Sequence, residues 1–86
     1  MTTPARAVPM HDPEAEAAVL SACLRSAKAT DTAYDALDGE DFYVPNHKLV
    51  WRAITACVDS EVVVDLVTVG TKLRELGHDK QVGGPA

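Results

Sequence analysis

The sequence predicts an all-α fold, a small orthogonal domain of four to five helices. Three observations predict it. Apolar residues recur at helical spacing in three separate stretches. Those stretches open on capping residues, Asp12 before Pro13, Asn46 after Pro45, and Asp65. The one β-prone run, Val62-Val63-Val64, is short and has no evident pairing partner.

At 86 residues the chain is one small domain, and its 47% hydrophobic and 24% charged content is that of a globular protein. A chain of this size builds a thin core, so a partner or further chain would help to stabilise it. Residues 1–10, with Pro4 and Pro9, read as a flexible arm, and residues 11–86 as the helical domain.

The first helix is expected from Asp12-Pro13-Glu14 to about Ala27. Val19 with Cys23 and Leu20 with Leu24 form i,i+4 pairs on a broad apolar face. Glu16 reads as a first-turn carboxylate satisfied by the helix dipole or a nearby cation, in preference to a buried functional acid. A short second helix is expected from Thr30 or Asp31, carrying Ala33, Tyr34 and Leu37, with Asp38-Gly39 as its closing turn. Phe42 is expected in the core and Tyr43 at its edge.

The third helix starts at Pro45-Asn46. Val50, Trp51, Ile54, Cys57 and Val58 have the spacing of a core-facing helix, with Trp51 central. His47 reads as a packed or capping histidine rather than a metal ligand, because no second ligand lies at helix spacing. Residues 59–64 form a break, Val62–Val64 being an extended connector. The last helix runs from an Asp65 cap to Gly77, with Leu66, Val69, Leu73 and Leu76 as its apolar stripe. Gly70 inside it costs roughly 1 kcal/mol relative to Ala and is read as room for a close helix contact. After Gly77, residues 78–81 read as one loose turn.

Composition excludes several function classes. The formal net charge of −5, with no basic run, argues against autonomous nucleic-acid binding and against docking on an anionic membrane. No signal peptide or membrane span is expected, and Cys23 and Cys57 fit a reducing compartment as small buried hydrophobes, so the expected location is cytoplasmic. His11, His47, His78, Cys23 and Cys57 lack zinc-ligand spacing. No nucleophile elbow or phosphate loop is present; Gly83-Gly84 has no lysine after it. The expectation is a non-enzyme without cofactor or metal.

Three stretches, in order and spanning about Pro9 to Ala86, resemble one known family. They are Pro9-Met10-His11-Asp12-Pro13-Glu14-Ala15-Glu16 with Ala18-Val19-Leu20; Asp41-Phe42-Tyr43 with His47, Val50 and Ile54; and Val64-Asp65-Leu66-Val67-Thr68-Val69 through Leu73 and Gly77 to Val82-Gly83-Gly84. This pattern is similar to the N-terminal domain of DnaB-type replicative DNA helicases. Met10-His11-Asp12 departs from that family's usual opening. The family's helical hairpin after Val-Gly-Gly, its linker and its ATPase motor have no counterpart here.

The resemblance implies a non-catalytic protein–protein interaction domain of DNA replication, like the collar domain that supports hexamer assembly and coupling to primase or a helicase loader. It covers a stand-alone copy of phage or mobile-element origin as well as a piece of a longer helicase. Expected partners are replicative helicase subunits, primase or a loader, with the isolated chain a monomer or weak dimer. Charge and expected exposure select Lys48, Arg52, Lys72, Arg74 and Glu75 as contact residues. The alternative is a small helical regulator or antitoxin-like protein unrelated to helicase.

Overall fold

In the computed structural model, which describes residues 12–78, the elements are helix α1 (Pro13–Arg25), helix α2 (Ala27–Ala36), a 3-10 turn (Gly39–Asp41), helix α3 (Pro45–Asp59) and helix α4 (Leu66–Glu75). No strand occurs among the described residues. The arm expected over residues 1–10 lies wholly outside them, and of the turn expected over residues 78–81 only His78 lies within.

Local chemistry sets most of the boundaries. Asp12 caps α1, its carboxylate accepting from the Ala15 N–H at 3.1 Å, and Pro13 follows at the first helical position. Asp65 caps α4 in a reciprocal pair: its carboxylate accepts from the Thr68 N–H at 2.9 Å, and the Thr68 hydroxyl accepts from the Asp65 N–H at 3.0 Å.

The α1–α2 boundary differs from expectation. Ser26 does both jobs: its N–H closes α1 on the Ala22 carbonyl at 2.9 Å, and its hydroxyl opens α2 by accepting from the Ala29 N–H at 3.2 Å. Thr30 therefore does not cap a helix but sits inside one. It is 3% exposed, and its hydroxyl contacts the carbonyls of Cys23 (2.8 Å) and Ser26 (3.2 Å). The buried hydroxyl thus satisfies the Cys23 carbonyl, which the end of α1 leaves without a helical partner, while the Ser26 carbonyl also accepts from the Thr30 N–H at 3.1 Å inside α2.

α3 is the hub, packing against α1, α4 and the 3-10 turn. It carries four buried core residues, Trp51, Ala53, Ile54 and Cys57. Leu20 and Cys23 of α1, Ala33 of α2, Phe42, and Val69 and Leu73 of α4 complete the core. The Phe42 and Trp51 rings stand 5.3 Å apart with a 30° tilt, within the preferred range for aromatic pairs.

Two ends use the left-handed conformation. After α3, the Val62 N–H returns to the Cys57 carbonyl (2.8 Å) and the Glu61 N–H to that of Val58 (3.0 Å). After α4, the His78 N–H returns to Leu73 (2.8 Å) and the Gly77 N–H to Arg74 (3.0 Å). These are paired Schellman closures. Gly77 takes φ +79° without penalty, whereas Glu61 takes φ +59° with a Cβ.

The α4 stripe needs correction. Val69 and Leu73 are buried, but Leu66 is 75% and Leu76 39% exposed. α4 packs on α3 through its middle only. Gly70 has nothing within 4 Å of where a Cβ would stand, so it makes no close helix contact among the described residues. Asn46 does not cap α3 either: the N-cap is Val44, which has no side-chain oxygen to offer.

Candidate functional site: an anchored helix start beside a charged groove

The segment leading into α3 is held by a side chain from another helix. The Glu16 carboxylate of α1 accepts from the backbone N–H groups of Tyr43 (2.9 Å) and Val44 (3.2 Å), and lies 2.9 Å from His47 Nδ1. An ionised carboxylate can only accept, so Nδ1 carries the proton in this contact. Glu16 thus serves donors at the amino end of α3, where the dipole also favours negative charge. Burial alone would raise its pKa. The bonds from Tyr43, His47 and Val44 outweigh that and hold it below the ordinary 4.5.

Glu16 lies in the first turn of α1, as expected, and its carboxylate in addition serves donors at the start of α3. For His47, the packed or capping reading stands. The two residues come from the first and second stretches of the family pattern, and the fold brings those stretches together here.

Beside this anchor runs a groove lined by Tyr34, Leu37, Gly39, Trp51 and Thr55, with Asp38 and Glu40 as well as Lys48 and Arg52 among its charged residues. Three contacts shape it. Asp38 and Asp41 form a reciprocal cap around the 3-10 turn, Asp41 Oδ2 accepting from the Asp38 N–H at 2.8 Å. The Tyr34 hydroxyl donates to Asp59 Oδ1 at 2.5 Å, tying α2 to the far end of α3. Lys48 Nζ donates to the Gly39 carbonyl at 3.2 Å, so this half-buried cation partly serves its own turn. Arg52, one turn on, is exposed.

The five expected contact residues fall into two groups. Lys48 and Arg52 line the groove on α3. Lys72, Arg74 and Glu75 lie on α4, where Lys72 and Glu75 pair at 3.3 Å and Arg74 Nη2 donates to the Thr71 hydroxyl at 3.3 Å. Charge selected both groups. Sequence reasoning missed the Tyr34–Asp59 tether and the Glu16 anchor, which link residues 25 to 31 positions apart.

Cys23 and Cys57 are buried free thiols, and burial pushes the Cys23 thiol above its ordinary value despite the opposing contact from Thr30. Among the described residues no group of three or more His, Cys, Asp or Glu could hold a metal ion, and no helix is long and apolar enough to cross a membrane.

A four-helix unit whose third helix is anchored by a Glu–His contact from the first places the chain among small all-helical domains. The chain belongs to the DnaB-like helicase N-terminal domain family, whose model matches residues 8–86. It is 34% identical over 76 residues to the replicative DNA helicase DnaB of Leifsonia xyli subsp. xyli, covering 88% of this chain and 17% of that protein. It is 35% identical over 77 residues to the replicative DNA helicase DnaC of Bacillus subtilis, covering 90% of this chain and 17% of that protein.

Among solved structures, the N-terminal domain of DnaB helicase from Mycobacterium tuberculosis superposes with a TM-score of 0.84 at 34% identity. That match covers 90% of this chain and 54% of the other. The chain therefore spans a small part of its curated relatives and about half of the solved domain. Family membership overturns the alternative of a regulator unrelated to helicase.

Proposed function

We propose that the chain acts as a non-catalytic protein–protein interaction domain of DNA replication, doing the work of a helicase collar: docking helicase subunits, primase or a helicase loader. The observation that carries this reading is the close fold match to a replicative helicase's N-terminal domain, taken with family identity over residues 8–86. What such a unit can contribute is its surface. The reading covers a stand-alone copy as well as the first part of a longer helicase.

Lys48 and Arg52 are the proposed primary contacts, because they rim a groove held in shape by the 3-10 turn and the Tyr34–Asp59 tether. Lys72, Arg74 and Glu75 form a second charged set on α4. A partner presenting carboxylates to Lys48 and Arg52 and a cation to Asp38 and Glu40 would gain steering and specificity more than raw affinity.

The test measures binding of the purified chain to purified replicative helicase, primase and loader, one at a time. Lys48→Glu with Arg52→Glu should weaken one of these complexes at least tenfold while the protein stays folded by circular dichroism. A folded wild-type chain that binds none of the three contradicts the reading.

A further inference from the structure

We propose that the connector at residues 62–64 and the cleft beside it bind an extended peptide segment, aliphatic and flanked by lysine or arginine, added as a β-strand along the connector. The connector lies between α3 and α4 and belongs to neither. Exposure alternates along it: Val62 is 38% and Val63 72% exposed, and Val64 is half-buried. Asp65, which follows, has extended backbone at φ −154° and ψ 179°. This alternation is that of a strand with one face on the protein.

Part of the connector's backbone is already bonded. The Val62 N–H returns to the Cys57 carbonyl, and the Val63 carbonyl accepts from the Thr68 hydroxyl. The N–H groups of Val63 and Val64 and the carbonyls of Val62 and Val64 have no hydrogen-bond partner among the described residues. Strand addition uses such groups: the main chain supplies affinity, and adjoining pockets choose the side chains.

A pocket adjoins this edge. Leu24 of α1, Val58 of α3 and Val64 line a cleft of about 470 Å³. Asp31 and Asp65 share that lining with Arg25, and Glu61 stands just before the connector. Asp31 and Glu61 are exposed, and neither they nor Asp65 form an ion pair among the described residues. The Asp65 cap occupies only Oδ1.

Charge therefore selects the occupant. A cation at each end of an aliphatic run meets a carboxylate at each end of the connector. The same carboxylates turn away nucleic acid, and a second copy would bring its own Glu61 and Asp65 against them. The cleft shares no lining residue with the groove at Lys48 and Arg52, so its failure would leave the proposed function standing.

The probe is the capped peptide acetyl-Ser-Lys-Val-Thr-Val-Lys-Ser-amide, titrated into the full chain and followed by nitrogen-15 NMR. Saturable shifts are expected at Val63, Val64 and Asp65, with a Kd on the order of 0.1–1 mM. Replacing both peptide lysines by glutamate should weaken binding at least tenfold. Asp31→Lys and Glu61→Lys, both at exposed positions, should each weaken binding of the lysine peptide at least threefold. Alternate N-methylation of the peptide separates strand addition from charge attraction. Methylating the valine nitrogens removes one edge, and methylating those of lysine and threonine removes the other. One pattern should cost at least tenfold and the other less than twofold, because a single edge faces the connector. No saturable shift up to about 5 mM peptide, equal binding of the lysine and glutamate peptides, or two methylation patterns of equal effect overturns the proposal. So do shifts confined to the groove at Lys48 and Arg52.

Discussion

His47 Nδ1 stands 2.9 Å from Glu16 Oε1, and through that carboxylate α1 ties down the backbone N–H groups of Tyr43 and Val44 that lead into α3. Three donors depend on one side chain that is only 10% exposed.

Removing this carboxylate leaves donors at the start of α3 without a partner. Glu16→Ala should cost about 2–3 kcal/mol, the range for losing charged hydrogen bonds in a part-buried place. Glu16→Gln keeps one acceptor and should cost about 1–2 kcal/mol. Urea denaturation of the two variants checks the order. The pH dependence has a definite sign. The folded-state pKa of Glu16 is depressed below 4.5, so its contribution is complete above the unfolded value and is lost as pH falls through the folded one. The stability gap between wild type and Glu16→Gln should therefore be flat near neutral pH and shrink at acid pH, starting below about 4.5.

Trp51 is 3% exposed and packs against Phe42 in the centre of the core. Trp51→Ala should destabilise by about 3–5 kcal/mol, which is enough to unfold a domain with so few core residues. An unchanged melting temperature would show that the side chain is not packed there.

The two helix ends give a matched pair of backbone tests. Glu61 pays for a left-handed φ of +59° that glycine adopts freely, so Glu61→Gly should stabilise by about 0.5–1 kcal/mol. Gly77→Ala should destabilise by about 1 kcal/mol, and through backbone strain alone, because the added methyl meets nothing within 4 Å. Thermal melts read both, and the two changes should have opposite signs.

Gly70 lies inside α4 with open space at its Cβ position. Gly70→Ala should raise stability by about 0.8–1 kcal/mol through helix propensity. A loss of stability in dilute solution would mean that the glycine is needed within the single chain.

What the sequence made legible was local or periodic. Asp12, Pro13, Asp65 and Gly77 marked helix ends because capping acts within a few residues. Trp51, Ile54 and Cys57 marked the buried face of α3 because their spacing follows one helix. The second helix was misplaced because Ser26 and Thr30 are both capping residues, and burial of Thr30 against α1 decides between them. Leu66 and Leu76 belong to the apolar stripe by period. Their exposure follows from α4 outrunning its contact with α3, which no period reports. Glu16 was legible as a family residue, but its partners lie 27 to 31 positions away, and only the packing of α1 on α3 brings them together. The contact residues were chosen by charge, which places Lys48 beside Arg52 but cannot see that Lys48 already holds the Gly39 carbonyl.

The interaction role meets its most direct test in a nitrogen-15 NMR titration of the chain with purified replicative helicase, primase and loader. The role proposed here predicts saturable shifts clustered on Leu37, Gly39, Lys48 and Arg52 with at least one of these partners, leaving the Glu16–His47 anchor unmoved. Spectra of a folded chain that stay unchanged with all three, or shifts confined to surfaces away from the groove, would contradict it.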